Sequence, residues 1–412
     1  MIIKTIQPQP YKLFNKIQNY DWGTKNEDAF IPKFLGIEPV KDLAYGELWI
    51  GAHPKAPSEI EIEGTKYPLN SIIDNFPVEV LGNHISKKYN CKLPFLLKVL
   101  SASRALSIQL HPNKRQAEVL HAKDPKNYPD DNHKPEIAIA LDSLTAIAGF
   151  RPAMQIKEIL INCPELKDYI GGNKYEMLIE ASDENELIES IEEVYKAIMK
   201  NADDKENLNN VINKLVEKYS NKNNRTDEED QFLIQEKLYG CDVGLLSFFF
   251  FNIIELKTGQ AFFTDAGVPH AYIKGNIIEC MANSDNVVRA GLTSKFKDVD
   301  TLLQIMDYSF GEIEIINKKQ KLDEVVFKTT AAEFEVSSYN KNAGLYHKVE
   351  SHDKPIVVLI ENGMMQVEWI SGEEKNYATF GKGDSFLLPA VLPELNLLMK
   401  EKSKYFVVTI PD

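Results

Sequence analysis

The chain has 412 residues, 43% of them hydrophobic and 26% charged, with a formal net charge of −14. That length exceeds what one hydrophobic core usually covers and predicts two or three domains. The acidic balance argues against nucleic acid or an anionic membrane as partner, while leaving room for a locally basic pocket that takes a small anion.

The opening "MIIKTIQPQPYKLF" has no basic stretch followed by a long apolar one, so it does not read as a secretory signal. From there to residue 151 the chain is built of short apolar runs punctuated by Gly and Pro. "GELWIGAHP", "LPFLLKVL", "LSIQLHP" and "PEIAIAL" all read as strands. In "LSIQLHP", Ser107, Gln109 and His111 alternate with Ile108 and Leu110, which puts the three polar side chains on one face.

The pattern changes after Arg151-Pro152. "ENELIESIEEVYKAIMK" spaces Leu187, Ile188, Ile191, Val194, Tyr195 and Ile198 as on one face of a helix, with Ser182 as the expected N-cap. "NLNNVINKLVEKY" repeats the spacing, and "SNKNNRTDEED" reads as a polar loop. "LLSFFFFNII" (Leu245–Ile254) is too short to span a bilayer and reads as a buried strand. Glycine- and proline-punctuated strands then continue to the C-terminal region. The reading is mainly β: two cupin-type (jelly-roll) barrels with an inserted α-helical domain. The expected units are a first barrel part over 1–151, a helical insert over 152–240, the barrel's second part over 241–320 and a second barrel over 321–412. Cys91, Cys163, Cys241 and Cys280 lie far apart with no CxxC, which predicts reduced thiols in a cytoplasmic protein and no cysteine-based zinc site.

Polar residues set among apolar ones are the candidates for chemistry. Gln109 and His111 share a strand face; His133, Lys134 and Glu136 stand together in "NHKPEIAIAL"; His270 sits in "AGVPHAYIKG", a turn entering a strand. Such N and O donors suit a zinc-type divalent cation, which takes three or four of them. Each also has a plain structural reading: a hydrogen-bonding pair for Gln109 and His111, a strand end for Glu136, a satisfied turn carbonyl for His270. The stretch "GNIIECMANSDNVVRAGLTSKFKDV" adds Glu279, Asp285, Arg289, Lys295 and Lys297. Arg289 lies between Val288 and Ala290, and an arginine in apolar surroundings needs an anion. Asp285 or Glu279 would make a structural ion pair; a substrate phosphate or a developing oxyanion would make a site.

Together with "NYDWG", "GELWIGAHPKAPS", "LPFLLKVLS", "GFRP" and "GVPHAY", in this order, these blocks resemble the zinc-dependent mannose-6-phosphate isomerases (type I phosphomannose isomerases) of the cupin superfamily. The resemblance covers most of residues 15–150 and 240–300 and is weaker beyond. It implies zinc bound by Gln109, His111, Glu136 and His270, and Arg289 as the active-site arginine. It implies proton transfer by Lys134 and Asp285, sugar-ring opening assisted by His133, and pocket roles for Glu279 and Lys295. Trp22, Lys98 and Ser107 are expected near the substrate. The sequence departs from the family where "FTDAGVPH" lacks a proline near Asp265 and where Ser294 replaces the proline of a usual "TPK"; neither change touches an implied ligand. "GKGDSFLLPAVLPEL" carries no histidine, and His347 and His352 lie outside it, so a second metal site is not expected.

The activity so implied is interconversion of mannose 6-phosphate and fructose 6-phosphate, by a monomer acting on a small sugar phosphate. Such an isomerase must stabilise an enediol(ate) and shuttle a proton between C1 and C2. Arg289 stays protonated and suits stabilisation; Lys134 and Asp285 both remain candidates for the base. Two other readings use the same residues: a non-catalytic cupin that senses sugar phosphates, and a metal-dependent oxygenase, which would favour more histidine ligands.

Overall fold

A computed structural model of the chain describes residues 4–317 and 323–412, so the boundary expected between 320 and 321 lies outside the described residues. The alternating segments before residue 151 and between 251 and 291 assemble into one nine-stranded antiparallel sheet. Its strands are β1 (Lys16–Gln18), β2 (Glu47–Gly51), β3 (Phe95–Ala102), β4 (Ile108–Leu110), β5 (Glu136–Phe150), β6 (Phe251–Lys257), β7 (Ala261–Thr264), β8 (His270–Ala282) and β9 (Val288–Gly291). Their order is β6-β5-β8-β3-β2-β1, with β7 added on β5, and β4 bridging β8 and β9.

The two faces of this sheet have different work. On one, Phe95, Leu97 and Val99 of β3, Ile137 and Ile139 of β5 and Ile278 and Cys280 of β8 are buried. They share a single apolar core with Phe327, Val336, Val357, Leu359, Phe406 and Val408 of a six-stranded sheet built mostly from the C-terminal region. The strand period of two then sends Lys98, Glu136 and Glu279 to the opposite face. In register, Ala138 of β5 pairs with Glu279 of β8, Glu279 with Lys98 of β3, and Lys98 with Trp49 of β2. A row of charged and aromatic side chains, Glu279, Lys98 and Trp49, therefore crosses the sheet from Ala138.

The expected pair of closed cupin-type barrels is not what forms. The chain is a mixed α/β protein, ~31% helix and 34% strand, with open sheets. The nine-stranded sheet runs out at β1 and β6, and the six-stranded one at Tyr11–Lys12 and Glu324–Phe327. The reason lies in short apolar runs, whose periodicity does not separate a buried strand from a buried helix. "LLSFFFFNII" is the plain case: Val243–Phe249 is a 3₁₀ helix, and only from Phe251 does the segment join the sheet. Short helices also occupy Phe30–Leu35, Leu69–Asn75, Pro77–Leu81, Asn83–Lys88 and Lys114–Lys123, within the stretch read as strands and turns.

Between residues 153 and 239 the chain is helical: α1 (Ala153–Ile161), α2 (Gly172–Glu180), α3 (Glu184–Lys200), α4 (Lys205–Ser220) and α5 (Asp227–Tyr239), with shorter helical pieces at Pro164–Leu166, Lys167–Ile170 and Asn201–Asp203 between them. Leu187, Ile191, Val194 and Ile198 of α3 pack with Leu208, Val211, Ile212 and Leu215 of α4 and with Leu245–Phe251. The N-cap of α3 is Asp183, whose side chain accepts from the Asn185 and Glu186 amides; Ser182 hydrogen-bonds to Glu186 instead. The expected loop "SNKNNRTDEED" ends inside α5, which opens on a Thr226–Glu229 capping box. The four cysteines form no disulfide. Among the described residues no helix is long and apolar enough to cross a membrane.

Candidate active site and metal centre

Three buried side chains meet above the polar face of the sheet. Strand β5 opens on Glu136, β8 opens on His270, and His111 follows β4, whose Gln109 lies opposite His270 in the ladder. Glu136 Oε2 stands 3.1 Å from His270 Nε2 and 3.5 Å from His111 Nε2. One ligand atom from each of the three lies within 4.8 Å of the others.

The hydrogen bonds around this trio decide its chemistry. His111 Nδ1 lies 2.7 Å from the Asn286 carbonyl, and His270 Nδ1 lies 2.9 Å from the Val268 carbonyl. A carbonyl oxygen only accepts, so each Nδ1 carries the proton, and in a neutral ring each Nε2 presents a lone pair to the carboxylate. Burial pushes His111 down to about 4, which keeps it neutral, and its Nε2 is buried with no hydrogen-bond partner. Two lone pairs and a carboxylate oxygen facing one another repel unless a cation lies between them. Their separations are close to the ~3.4 Å edge of a tetrahedron with metal–nitrogen bonds of about 2.1 Å. The residues present fit a divalent metal.

The other oxygen of Glu136 takes Lys134 Nζ at 3.0 Å. Burial alone would raise the Glu136 carboxyl, but the Lys134 ammonium opposes it, and the group is held well below the usual carboxylate range.

From this trio a cavity of about 730 Å³ opens to the surface, lined by Trp22, Glu47, Trp49, Lys98, Ser107, Gln109, Lys134, Glu136, Tyr272, Glu279, Asp285, Arg289 and Lys295, among others. Lys98 forms its floor, 2.8 Å from Glu279 and 3.6 Å from Glu47. Burial disfavours the Lys98 charge, yet the two carboxylates hold its pKa above the ordinary lysine value. Tyr272 donates to the second Glu279 oxygen at 2.8 Å.

Asp285 is gripped from the side. Lys55 Nζ reaches one oxygen at 2.8 Å and His53 Nε2 the other at 3.5 Å. His53 Nδ1 accepts the Lys55 amide, so its proton sits on Nε2 and points at the carboxylate. Burial is outweighed by these two partners, and Asp285 is held well below its ordinary pKa. Arg289 lies opposite Gln109 in the β4–β9 pair. Both carboxylates that could have formed a structural ion pair with it are engaged elsewhere, and among the described residues its guanidinium has no carboxylate partner. Lys295 and, from the helical side, Lys205 line the same cavity and likewise have no carboxylate partner among the described residues.

Twelve of the thirteen residues given a role from the sequence therefore meet here: Gln109, His111, Glu136 and His270; Lys134, Asp285 and Arg289; Glu279, Lys295, Ser107, Trp22 and Lys98. His133 does not. It faces away from Lys134, as neighbours in an extended segment do, and its Nε2 lies 2.8 Å from Glu333 outside the cavity. Sequence reading passed over Glu47, Trp49, His53, Lys55 and Tyr272. One available signal was the acidic Glu47 in the otherwise apolar "GELWIGAHP", two positions from Trp49 and so on the same face.

Residues 11–153 match the family described as "Phosphomannose isomerase type I, catalytic domain". Mannose-6-phosphate isomerase 2 of Arabidopsis thaliana is 34% identical over 394 residues, covering 91% of this chain and 87% of that protein. The Bos taurus mannose-6-phosphate isomerase is 39% identical over 305 residues, covering 71% of this chain and 72% of that one. Among solved structures, a zinc-bound holo mannose 6-phosphate isomerase superposes with a TM-score of 0.83 at 27% identity, covering 98% of this chain and all of that one. Fold, buried metal trio and sequence agree, and the chain belongs to the type I phosphomannose isomerase family.

Proposed function

We propose that the chain interconverts mannose 6-phosphate and fructose 6-phosphate through a cis-enediol(ate), with zinc as its metal. The observation that carries this reading is the His111–Glu136–His270 trio, with its two imidazole lone pairs aimed at one carboxylate oxygen inside a cavity that also presents an uncompensated arginine. Two nitrogens and a carboxylate, completed by the Gln109 amide, form a donor set suited to zinc. Zinc, when bound, supplies Lewis acidity toward the sugar oxygens.

The chain's own residues do the rest. Arg289 keeps its proton at any working pH and holds a positive charge where the enediolate oxygens develop a negative one. Asp285, fixed by His53 and Lys55, and Lys134, fixed by Glu136, face the same space and serve proton transfer between C1 and C2. The Lys98–Glu279 floor offers donors and acceptors to sugar hydroxyls, with Trp22 and Ser107 on the walls. Lys295 takes the 6-phosphate; an anchor remote from the reacting carbons contributes to positioning. The unpaired thiols suit a reducing cytoplasm.

The test is direct. Purified protein should convert mannose 6-phosphate to fructose 6-phosphate, lose the activity with a zinc chelator and regain it when zinc is restored. Zinc-loaded, folded protein that leaves mannose 6-phosphate unchanged would overturn the reading.

A further inference from the structure

We infer that Asp130 is a positioning residue that pins the loop bearing both Asp285 and the Asn286 carbonyl that holds His111, so that metal affinity and proton-transfer geometry depend on a single carboxylate. The inference rests on the roles proposed above for those two residues.

Asp130 lies in "YPDDNHKPE", six positions before Glu136. Its Oδ2 accepts the Asp285 amide at 2.7 Å. Its Oδ1 accepts the Ser284 hydroxyl at 2.8 Å, the Asn132 amide at 3.0 Å and Asn286 Nδ2 at 3.2 Å. Asn286 Nδ2 also reaches the backbone carbonyls of Asp130 at 2.7 Å and of Asn132 at 2.9 Å. No lysine or arginine among the described residues forms an ion pair with Asp130, so hydrogen-bond donors alone meet its charge. Ser284 and Asn286 are buried, at 2% and 0% exposure.

The loop held in this way has two outputs. The Asn286 carbonyl takes the Nδ1 proton of His111 at 2.7 Å, which fixes the tautomer and aims Nε2 at Glu136. Asp285, one residue earlier, has its backbone pinned by Asp130 and its carboxylate by His53 and Lys55. The same pinned stretch runs on into Lys134 and Glu136 on one side and Arg289 on the other.

The geometry also says why the residue is an aspartate. Both of its oxygens receive donors. An asparagine, however its amide is turned, must set an NH₂ against at least one of them.

Two variants test this, Asp130→Asn and the milder Ser284→Ala, each purified at full length and shown to fold by circular dichroism. Zinc affinity is read by competition with a chromophoric chelator, ligand geometry by the visible spectrum of the cobalt-substituted protein, and turnover as kcat and KM separately. Asp130→Asn should weaken zinc binding and lower kcat, each by about 10- to 100-fold, the range seen when partners of metal ligands are removed. Its cobalt bands should shift and its KM should change little. Ser284→Ala should move the same readouts in the same direction by less. Zinc affinity, cobalt spectrum and kcat unchanged in both variants would overturn the inference, even if both melt earlier, because a purely structural residue changes only the melting. Should Asp130→Asn fail to fold, Ser284→Ala decides alone on the same readouts. Wild-type protein that takes up no zinc would overturn the reading beneath, independently of either variant.

Discussion

At the scale of single residues, the strongest statement comes from two backbone carbonyls. Because the Asn286 and Val268 oxygens can only accept, they dictate the imidazole tautomers, and with them the presence of two lone pairs in a buried space. His270→Ala should therefore lose bound metal and activity together, checked by elemental analysis and turnover on the same sample. Arg289→Ala should keep the metal and the melting temperature but lose about 10²–10³-fold in kcat, the usual cost of removing a donor to a developing oxyanion. In the metal-free protein, burial holds His111 at about 4, against 6.5 for an ordinary histidine. The unfolded chain then binds that proton at higher pH than the folded one. This contribution to stability is full above about pH 6.5 and declines as the pH falls toward 4. The melting temperature of chelated protein should drop across that window, and His111→Gln should flatten the drop. At this scale the sequence shows Gln109, His111, Glu136, Asp285 and Arg289 as polar residues set in apolar strands or blocks, while their gathering into one site with a metal is implied only by the resemblance of those blocks to the family. His53, Lys55 and Asp130 were not legible, because they act through partners more than a hundred residues away, which periodicity does not reach.

At the scale of elements, periodicity served long segments well and short ones badly. The 17 residues of α3 bury Leu187, Ile191, Val194 and Ile198 at helical spacing, and that pattern is plain in the sequence. "LLSFFFFNII" carries no such pattern; apolar except for Ser247 and Asn252, it is a 3₁₀ helix and then a strand. Closure into barrels was out of reach for a related reason: alternation says which face of a strand is buried, not whether the first strand of a sheet meets the last. At the start of α3, the order Ser182-Asp183 offers two capping residues, and the one that accepts two amides is Asp183. Asp183→Ala should cost about 1 kcal/mol, read from chemical denaturation, with kcat unchanged. A loss confined to Ser182→Ala would show that the cap is misassigned.

At the scale of the molecule, the site depends on a scaffold drawn from both ends of the sequence. Strands β3, β5 and β8 carry catalytic candidates on one face and, on the other, half of a core completed by Phe327, Val357, Phe406 and their neighbours. His133 spans the same junction, its ring held by Glu333. Glu333→Ala leaves a partly buried donor without its partner and should destabilise the protein by about 1–3 kcal/mol while leaving kcat within a few-fold. If His133→Asn abolished turnover without lowering the melting temperature, the imidazole would have a chemical task that this packing does not suggest.

That shared core carries a consequence for how the chain is made. Strands β3 and β5 leave the ribosome with an apolar face whose cover lies at residues 325–408, and Tyr11–Lys12 pairs with Ser385–Leu388. At roughly 5–20 residues per second, tens of seconds separate the synthesis of the two halves. During that interval the nascent sheet presents a greasy surface to the cell. Biogenesis, more than equilibrium stability, is then where this architecture is vulnerable: refolding yield should depend steeply on protein concentration and rise with a holdase chaperone.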